Sequence, residues 1–309
     1  MSTPPHASHA TLWLRHGRQS LGLLPSLGGS VAAWRVTKDD ASSFDLWRPW
    51  QGEPDVFRTA SFAMVPWSNR ISDGGFTHEG RFHAFRPNRP GEPYPIHGDG
   101  WQQAWHVEAH DAHSATLSLE SKCFDGNPYH YRATQTFTLH EGGLRQSLAV
   151  RHLGGATLPY GLGLHPWFTR TSRSRVTAPV EGVWLSGKDP IPTRHTKDMP
   201  RSWNLSAGVP GYGSFIDNGY SGWGGRAHVD WPEQRLRVSA AMEDFEANGG
   251  AERHFCLVYR PLDGHAFCFE PITQPIDAFH LPGRPGLRVL AQGEETSLAI
   301  DWRLEATSA

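Results

Sequence analysis

Apolar side chains in this chain recur at every second position, and no stretch repeats them at the three-to-four-residue spacing of an amphipathic helix. In YRATQTFTLH, Tyr131, Ala133, Phe137 and Leu139 share one face with Gln135, while Arg132, Thr134, Thr136 and Thr138 share the other. That is the pattern of a half-buried strand. GGLRQSLAVRH follows with Leu144, Leu148 and Val150 in phase, and the turn HEGG between the two runs predicts an antiparallel hairpin. Further strands are expected over 10–16, 30–36, 114–121, 235–242, 254–260, 265–270 and 296–305. Thirty-three Gly and 24 Pro point the same way, because in a helix interior they cost roughly 1 and 3 kcal/mol relative to alanine. Thirteen Trp and 15 Phe suit the space between sheets or the wall of a groove. The expected fold is all-β. Residues 1–309 should form a single large antiparallel β-sandwich, twisted and open on one face, with about 1–9 and 305–309 loosely held.

Charge removes several partners from consideration. With 29 basic and 31 acidic residues the formal net charge is −2, so neither nucleic acid nor an anionic membrane surface is expected. The three cysteines, Cys123, Cys256 and Cys268, form no CxxC pair and suit a reducing compartment. The first twenty residues lack a basic stretch followed by an apolar run, and no later segment approaches the ~18 uncharged apolar residues of a membrane span. A soluble cytoplasmic protein, monomeric or weakly dimeric, is expected.

Four segments place ionisable groups among aromatics, Gly and Pro. In MVPWSNRISDGGF, Arg70 offers a permanent planar cation beside Asn69, suited to carboxylates, phosphates or paired sugar hydroxyls; it could equally be tied to Asp73 to fix the turn. In PYPIHGDGWQQAWHV, His97 precedes a glycine that would let the backbone approach a bound group, and Trp101 and Trp105 could stack on a sugar or fill the core. In PYGLGLHPWF, His165 ends a Gly-rich strand before Pro166 and Trp167. In AFCFEPITQPIDAFH, Glu270 closes an apolar strand that Pro271 should stop; apolar neighbours would raise its pKa and make it a better base, unless an arginine pairs with it. No HxH, HExxH or CxxC spacing completes a metal site around His97 and His165, and no GxSxG elbow supports nucleophilic hydrolysis.

Taken in order, these segments resemble the aldose 1-epimerase (galactose mutarotase) family. The matches are PWSNRISDGGFTHEGRFHAF, IHGDGWQQAWHV, GLGLHPWF, SFIDNGYSGW and FCFEPITQPIDAF. The resemblance implies a large galactose mutarotase-like β-sandwich with an open sugar cleft, interconverting the α and β anomers of a free hexose or pentose without a cofactor or metal. By position in the motifs it implies Glu270 as base on the C1 hydroxyl and His165 as acid on the ring oxygen, assisted by His97. Arg70 and Asp217 would hold the other hydroxyls, Asn69 would brace the loop, and Trp67 and Trp167 would form an apolar wall unless they belong to the core. The chain has Trp167 where the family often has Tyr, and AQGE where the family has a late Pro-Gly-Glu turn. The Arg-Gly-Gly-rich segment of phosphosugar relatives is absent, so an unphosphorylated, neutral sugar is expected. The competing readings are a non-catalytic carbohydrate-binding or regulatory protein and a metal-dependent lyase or hydrolase on a similar sandwich.

Overall fold

The structure, a computed structural model, describes residues 9–243 and 254–307. Residues 1–8 and 308–309, expected from the sequence to be loosely held, lie outside that range. Two large sheets dominate, and all strand pairs within them are antiparallel. In the twelve-stranded sheet the order from one edge is Leu12–His16, Gln19–Leu24, Ser30–Thr37, Ser43–Trp47, Trp167–Thr169, Ala266–Ile272, Phe255–Arg260, Ile216–Ser221, Gly182–Ser186 and Pro192–Thr196; the short strands Ala63–Met64 and Gly163–Leu164 attach to its middle. The nine-stranded sheet centres on Leu236–Met242, Glu295–Ala306, Gly143–His152 and His130–His140. No helix is long and apolar enough to cross a membrane, among the described residues.

The two-residue alternation explains the sandwich. In the 130–152 hairpin, His140 pairs with Gly143 around a two-residue turn, and Tyr131, Phe137, Leu144, Leu148 and Val150 are fully buried against the opposite sheet. Gln135 sits among them because its Nε2 donates to the Gly29 carbonyl at 3.0 Å, which satisfies a polar group that would otherwise destabilise the core. From the other sheet come Trp34, Trp47, Phe168, Phe267 and Phe269; Trp47 and Phe168 meet Trp302 with ring centroids 5.6 and 5.9 Å apart. Each large buried ring of this kind contributes on the order of 3–5 kcal/mol, judged by the cost of truncation.

Alternation along Ala266–Ile272 has a further consequence. Phe267 and Phe269 point into the sandwich, so Cys268 and Glu270 must face the outer side of the twelve-stranded sheet. The same rule sends Phe168 inward and Trp167 outward, and Ile216 inward and Asp217 outward. Two expectations need correction here. The strand carrying Glu270 does not stop at Pro271 but runs to Ile272, with Pro271 registered on Cys256. Proline is tolerated because the flanking partner strand is itself broken, between Gly163–Leu164 and Trp167–Thr169. The last strand likewise extends to Ala306, where Glu305 and Ala306 are registered on Arg237 and Leu236 rather than loose.

Candidate active site

On the outer face of the large sheet lies a cleft of about 510 Å³, walled by strand residues Trp167, Asp217, Tyr259 and Glu270 and by loop residues that include Asn69, Arg70, His97 and His165. Segments distant in sequence converge on it because the strand order places Trp167–Thr169, Ala266–Ile272, Phe255–Arg260 and Ile216–Ser221 side by side.

Two loops lock each other. His97 N donates to the Asn69 carbonyl at 3.0 Å, and Asn69 N donates to His97 Nδ1 at 3.0 Å. The second bond requires Nδ1 to be an acceptor, so the neutral ring carries its proton on Nε2. Asn69 and His97 both adopt left-handed backbone, at φ 55° and 61°; for Asn69 this conformation lets the side chain fold back, its Oδ1 accepting from Arg70 N at 2.9 Å. The expected bracing role of Asn69 therefore has a direct geometric basis. The glycine after His97 serves a different purpose from the one expected: a Cβ on Gly98 would lie 2.0 Å from the Val65 carbonyl oxygen, so the close approach is to the protein's own backbone.

Arg70 is held by Glu92, not by Asp73. Its Nε and Nη2 donate to the two Glu92 oxygens at 2.9 and 3.1 Å, and Nη1 reaches Asp217 Oδ2 at 3.5 Å. Burial works against the charge, but these two carboxylates outweigh it and hold the guanidinium protonated. Asp217, desolvated in the cleft, is raised above the usual carboxylate range with Arg70 opposing the shift. Behind the turn, Asp277 accepts from Ser72 N at 2.9 Å and Ser72 Oγ at 2.7 Å. The downstream Asp-Ala-Phe of the sequence thus braces the Arg70 loop.

His165 and Glu270 meet at the cleft floor. His165 Nε2 lies 3.4 Å from Glu270 Oε1, and both residues are almost wholly buried, at 5% and 1% exposure. The imidazole is stacked between Phe62, with centroids 4.6 Å apart, and Trp167 at 5.5 Å, while the His97 ring meets it edge-on at 5.2 Å. Among the described residues, neither oxygen of Glu270 nor Nδ1 of His165 has a hydrogen-bond partner. Burial pushes the Glu270 pKa well up, with Asp217 adding to the shift and Arg70 opposing it; burial pulls His165 down to about 3. His97 is likewise pulled well below its ordinary value, first by burial and then by His165, Arg70 and Arg89. At neutral pH both imidazoles are therefore uncharged.

Of the tryptophans, Trp167 lines the cleft, whereas Trp67 is core, packed on Phe85 at 5.0 Å and on Tyr129 at 5.9 Å. Trp105 is also buried, donating to the Gly100 carbonyl at 2.9 Å. Sequence reasoning missed Arg48, Glu92 and Tyr259, all cleft residues; no local pattern marks them, since each acquires its role from a distant segment. It also missed a possible cation set. Ligand atoms of His165, Cys268 and Glu270 lie within 4.8 Å of one another. Burial holds the Cys268 thiol well above its ordinary pKa, which disfavours the thiolate that a zinc-like ion would need.

The comparisons agree with this architecture. A family model for aldose 1-epimerase matches residues 11–302. The uncharacterized protein YphB of Escherichia coli (strain K12) is 29% identical over 297 residues, covering 94% of this chain and 98% of that protein. A putative aldose 1-epimerase from Escherichia coli K12 superposes with a TM-score of 0.86 at 26% identity, covering 96% of this chain and 99% of that one. A galactose mutarotase-like protein from Clostridium acetobutylicum shares the fold at a TM-score of 0.81 and 18% identity, covering 97% and 96%. The chain belongs to the aldose 1-epimerase family.

Proposed function

We propose that the protein is a mutarotase that interconverts the α and β anomers of a free, unphosphorylated hexose or pentose by acid/base ring opening and closure, needing no cofactor. Opening a pyranose requires a proton to leave the C1 hydroxyl and another to reach the ring oxygen as the C1–O5 bond breaks. Rotation about C1–C2 then presents the other face of the aldehyde, and the reverse transfers close the ring.

Glu270 takes the proton of the C1 hydroxyl and His165 gives a proton to the ring oxygen. Desolvation favours the neutral forms of both, and in those forms the pair holds one transferable proton, on Glu270. Moving that proton across the 3.4 Å gap gives a carboxylate and an imidazolium, the forms that ring opening needs. During opening the carboxylate gains a proton and the imidazolium loses one, so the pair's proton count is unchanged. No exchange with bulk water is needed within a turnover. Positioned proton transfer of this kind is worth roughly 10² to 10⁴ in rate. His97, with its proton on Nε2, donates near the ring oxygen, and Arg70 and Asp217 hold hydroxyls remote from C1.

The observation that carries this reading is the pairing, on the floor of one cleft, of a buried carboxyl and a buried imidazole, the carboxyl oxygens and the imidazole Nδ1 having no hydrogen-bond partner among the described residues. Buried polar groups are ordinarily satisfied, and exceptions call for a ligand or a catalytic purpose. The test is polarimetry on freshly dissolved α-glucose, α-galactose and a panel of pentoses. Faster decay of rotation is expected with at least one sugar, and it should persist after exhaustive chelation. Binding without faster decay points instead to a carbohydrate-binding protein, and loss of activity on chelation to metal-dependent chemistry.

A further inference from the structure

Beyond Trp167 the cleft continues into a recess of about 560 Å³, and the two chambers share Arg48, Arg58, Trp167 and Tyr259. Arg48 stands at the junction, its guanidinium carbon 4.1 Å from the centroid of the Trp167 ring. Its Nη2 donates to the carbonyls of Phe57 and Thr59, each at 2.7 Å, and its Nε has no partner among the described residues. Among the described residues no carboxylate pairs with Arg48, Arg58 or Arg89, whereas Arg70 has two. Nearby carboxylates are engaged elsewhere: Glu53 accepts from Gln51 N at 3.1 Å and Asp55 from Phe57 N at 3.0 Å. Asp263, which also lines the recess, forms no ion pair with either of its arginines. Burial lowers the Arg48 pKa to about 10, the mark of a desolvated cation without a counter-ion. A half-buried charge left unpaired is costly, and a ligand anion would compensate it.

The direction of the sugar in the cleft says which of its atoms would arrive there. This step rests on the acid/base reading above. The ring oxygen is bonded only to C1 and C5, so with the C1 hydroxyl at Glu270 and the ring oxygen at His165, C5 and its substituent lie on the side away from C1. That side follows the stacked row from His165 to Trp167, 5.5 Å apart, and on to Arg48. We infer that the preferred substrate is an aldose bearing a carboxylate on C5, a hexuronate, whose carboxylate is received at the junction by Arg48 with Arg58 beside it. This departs from the neutral sugar that the early motif suggests. A carboxylate fits better than a phosphoryl group: the recess has no glycine-rich run of backbone N–H groups and no helix N-terminus among its lining residues, the usual devices for a dianion.

The experiment compares kcat/KM by polarimetry for D-glucuronate, D-glucose, D-xylose and D-glucose 6-phosphate. Glucuronate is expected to exceed glucose by about tenfold or more at low salt, with the advantage shrinking as ionic strength rises. In Arg48→Gln the glucuronate-to-glucose ratio should fall to within about threefold of unity, whatever the absolute loss. Should that variant fail to fold, Arg58→Gln, at an exposed position, reports the same ratio. Glucose matching glucuronate, glucose 6-phosphate outperforming both, or a ratio unchanged in either folded variant overturns the inference and leaves the mutarotase reading standing. Calorimetric binding of glucuronate separates the converse case: Arg48-dependent binding without interconversion of any anomer would sink the mutarotase reading and keep the carboxylate site.

Discussion

The 130–152 hairpin and the cleft are built on opposite terms. In the hairpin every buried apolar side chain meets another, and of its two buried amides Gln135 finds a carbonyl while Gln146 has no partner among the described residues. In the cleft a carboxyl, an imidazole nitrogen and the Trp167 indole N–H are buried without partners among the described residues, and Asn69 and His97 occupy left-handed backbone. The sandwich contributes stability through area removed from water. The cleft costs stability, because each unsatisfied polar group gives up hydration without a protein hydrogen bond in return. A ligand that met those groups would recover the loss, so the cleft is the part prepared for a substrate.

Substitutions should divide along the same line. The largest effect is expected from Glu270→Gln and His165→Asn, each lowering turnover by roughly 10² to 10⁴ with thermal unfolding no earlier than in the parent; near-parental turnover in either would refute the assigned roles. In the hairpin the reverse holds. Leu148→Ala should cost about 2–5 kcal/mol in denaturant unfolding while the remaining folded protein keeps its kcat, and a catalytic defect without destabilisation would erase the contrast.

Between the two regions sits Asp99, which accepts from Tyr131 and, at 2.6 Å, from Asn127 Nδ2, and so ties the His97 loop to the sandwich. Burial raises its pKa from 3.8 to about 6, against the hydrogen bonds it accepts. Its folded pKa is the higher one, so its contribution is complete below pH 3.8 and is lost as pH rises through about 6. Over that window Asp99→Asn should flatten a fall in stability on the order of 3 kcal/mol, read from unfolding at several pH values; an unchanged slope would place the titration elsewhere. The smallest effect is expected from Arg70→Lys, which keeps the charge but loses the fork that grips both Glu92 oxygens. KM should rise by about tenfold with less change in kcat, and a pure kcat effect would argue against a substrate-holding role.

Legibility in the sequence followed the same division. The hairpin could be read residue by residue because its side chains alternate strictly across ten registered pairs. The short strands Gly163–Leu164 and Trp167–Thr169 could not, since a few residues around a proline carry too little pattern to register. His165 and Glu270 were recognisable from their motifs, but Glu270 was misread as a strand end because Pro271 normally terminates pairing. Arg70 was recognised as a fixed cation, whereas its partner Glu92 was not, for a loop glutamate followed by proline announces nothing about an arginine 22 residues away.

What the chain alone determined was local: period-two alternation, glycine and proline turns, and aromatic bulk dictate two-sided strands that must bury one face against another sheet. Tertiary structure decided which outward faces became neighbours, and so brought His165 within 3.4 Å of Glu270 and left Arg48 half-buried without a counter-ion among the described residues. Strand order settles those contacts, and strand order is a property of the whole sandwich, fixed by packing between segments a hundred residues apart.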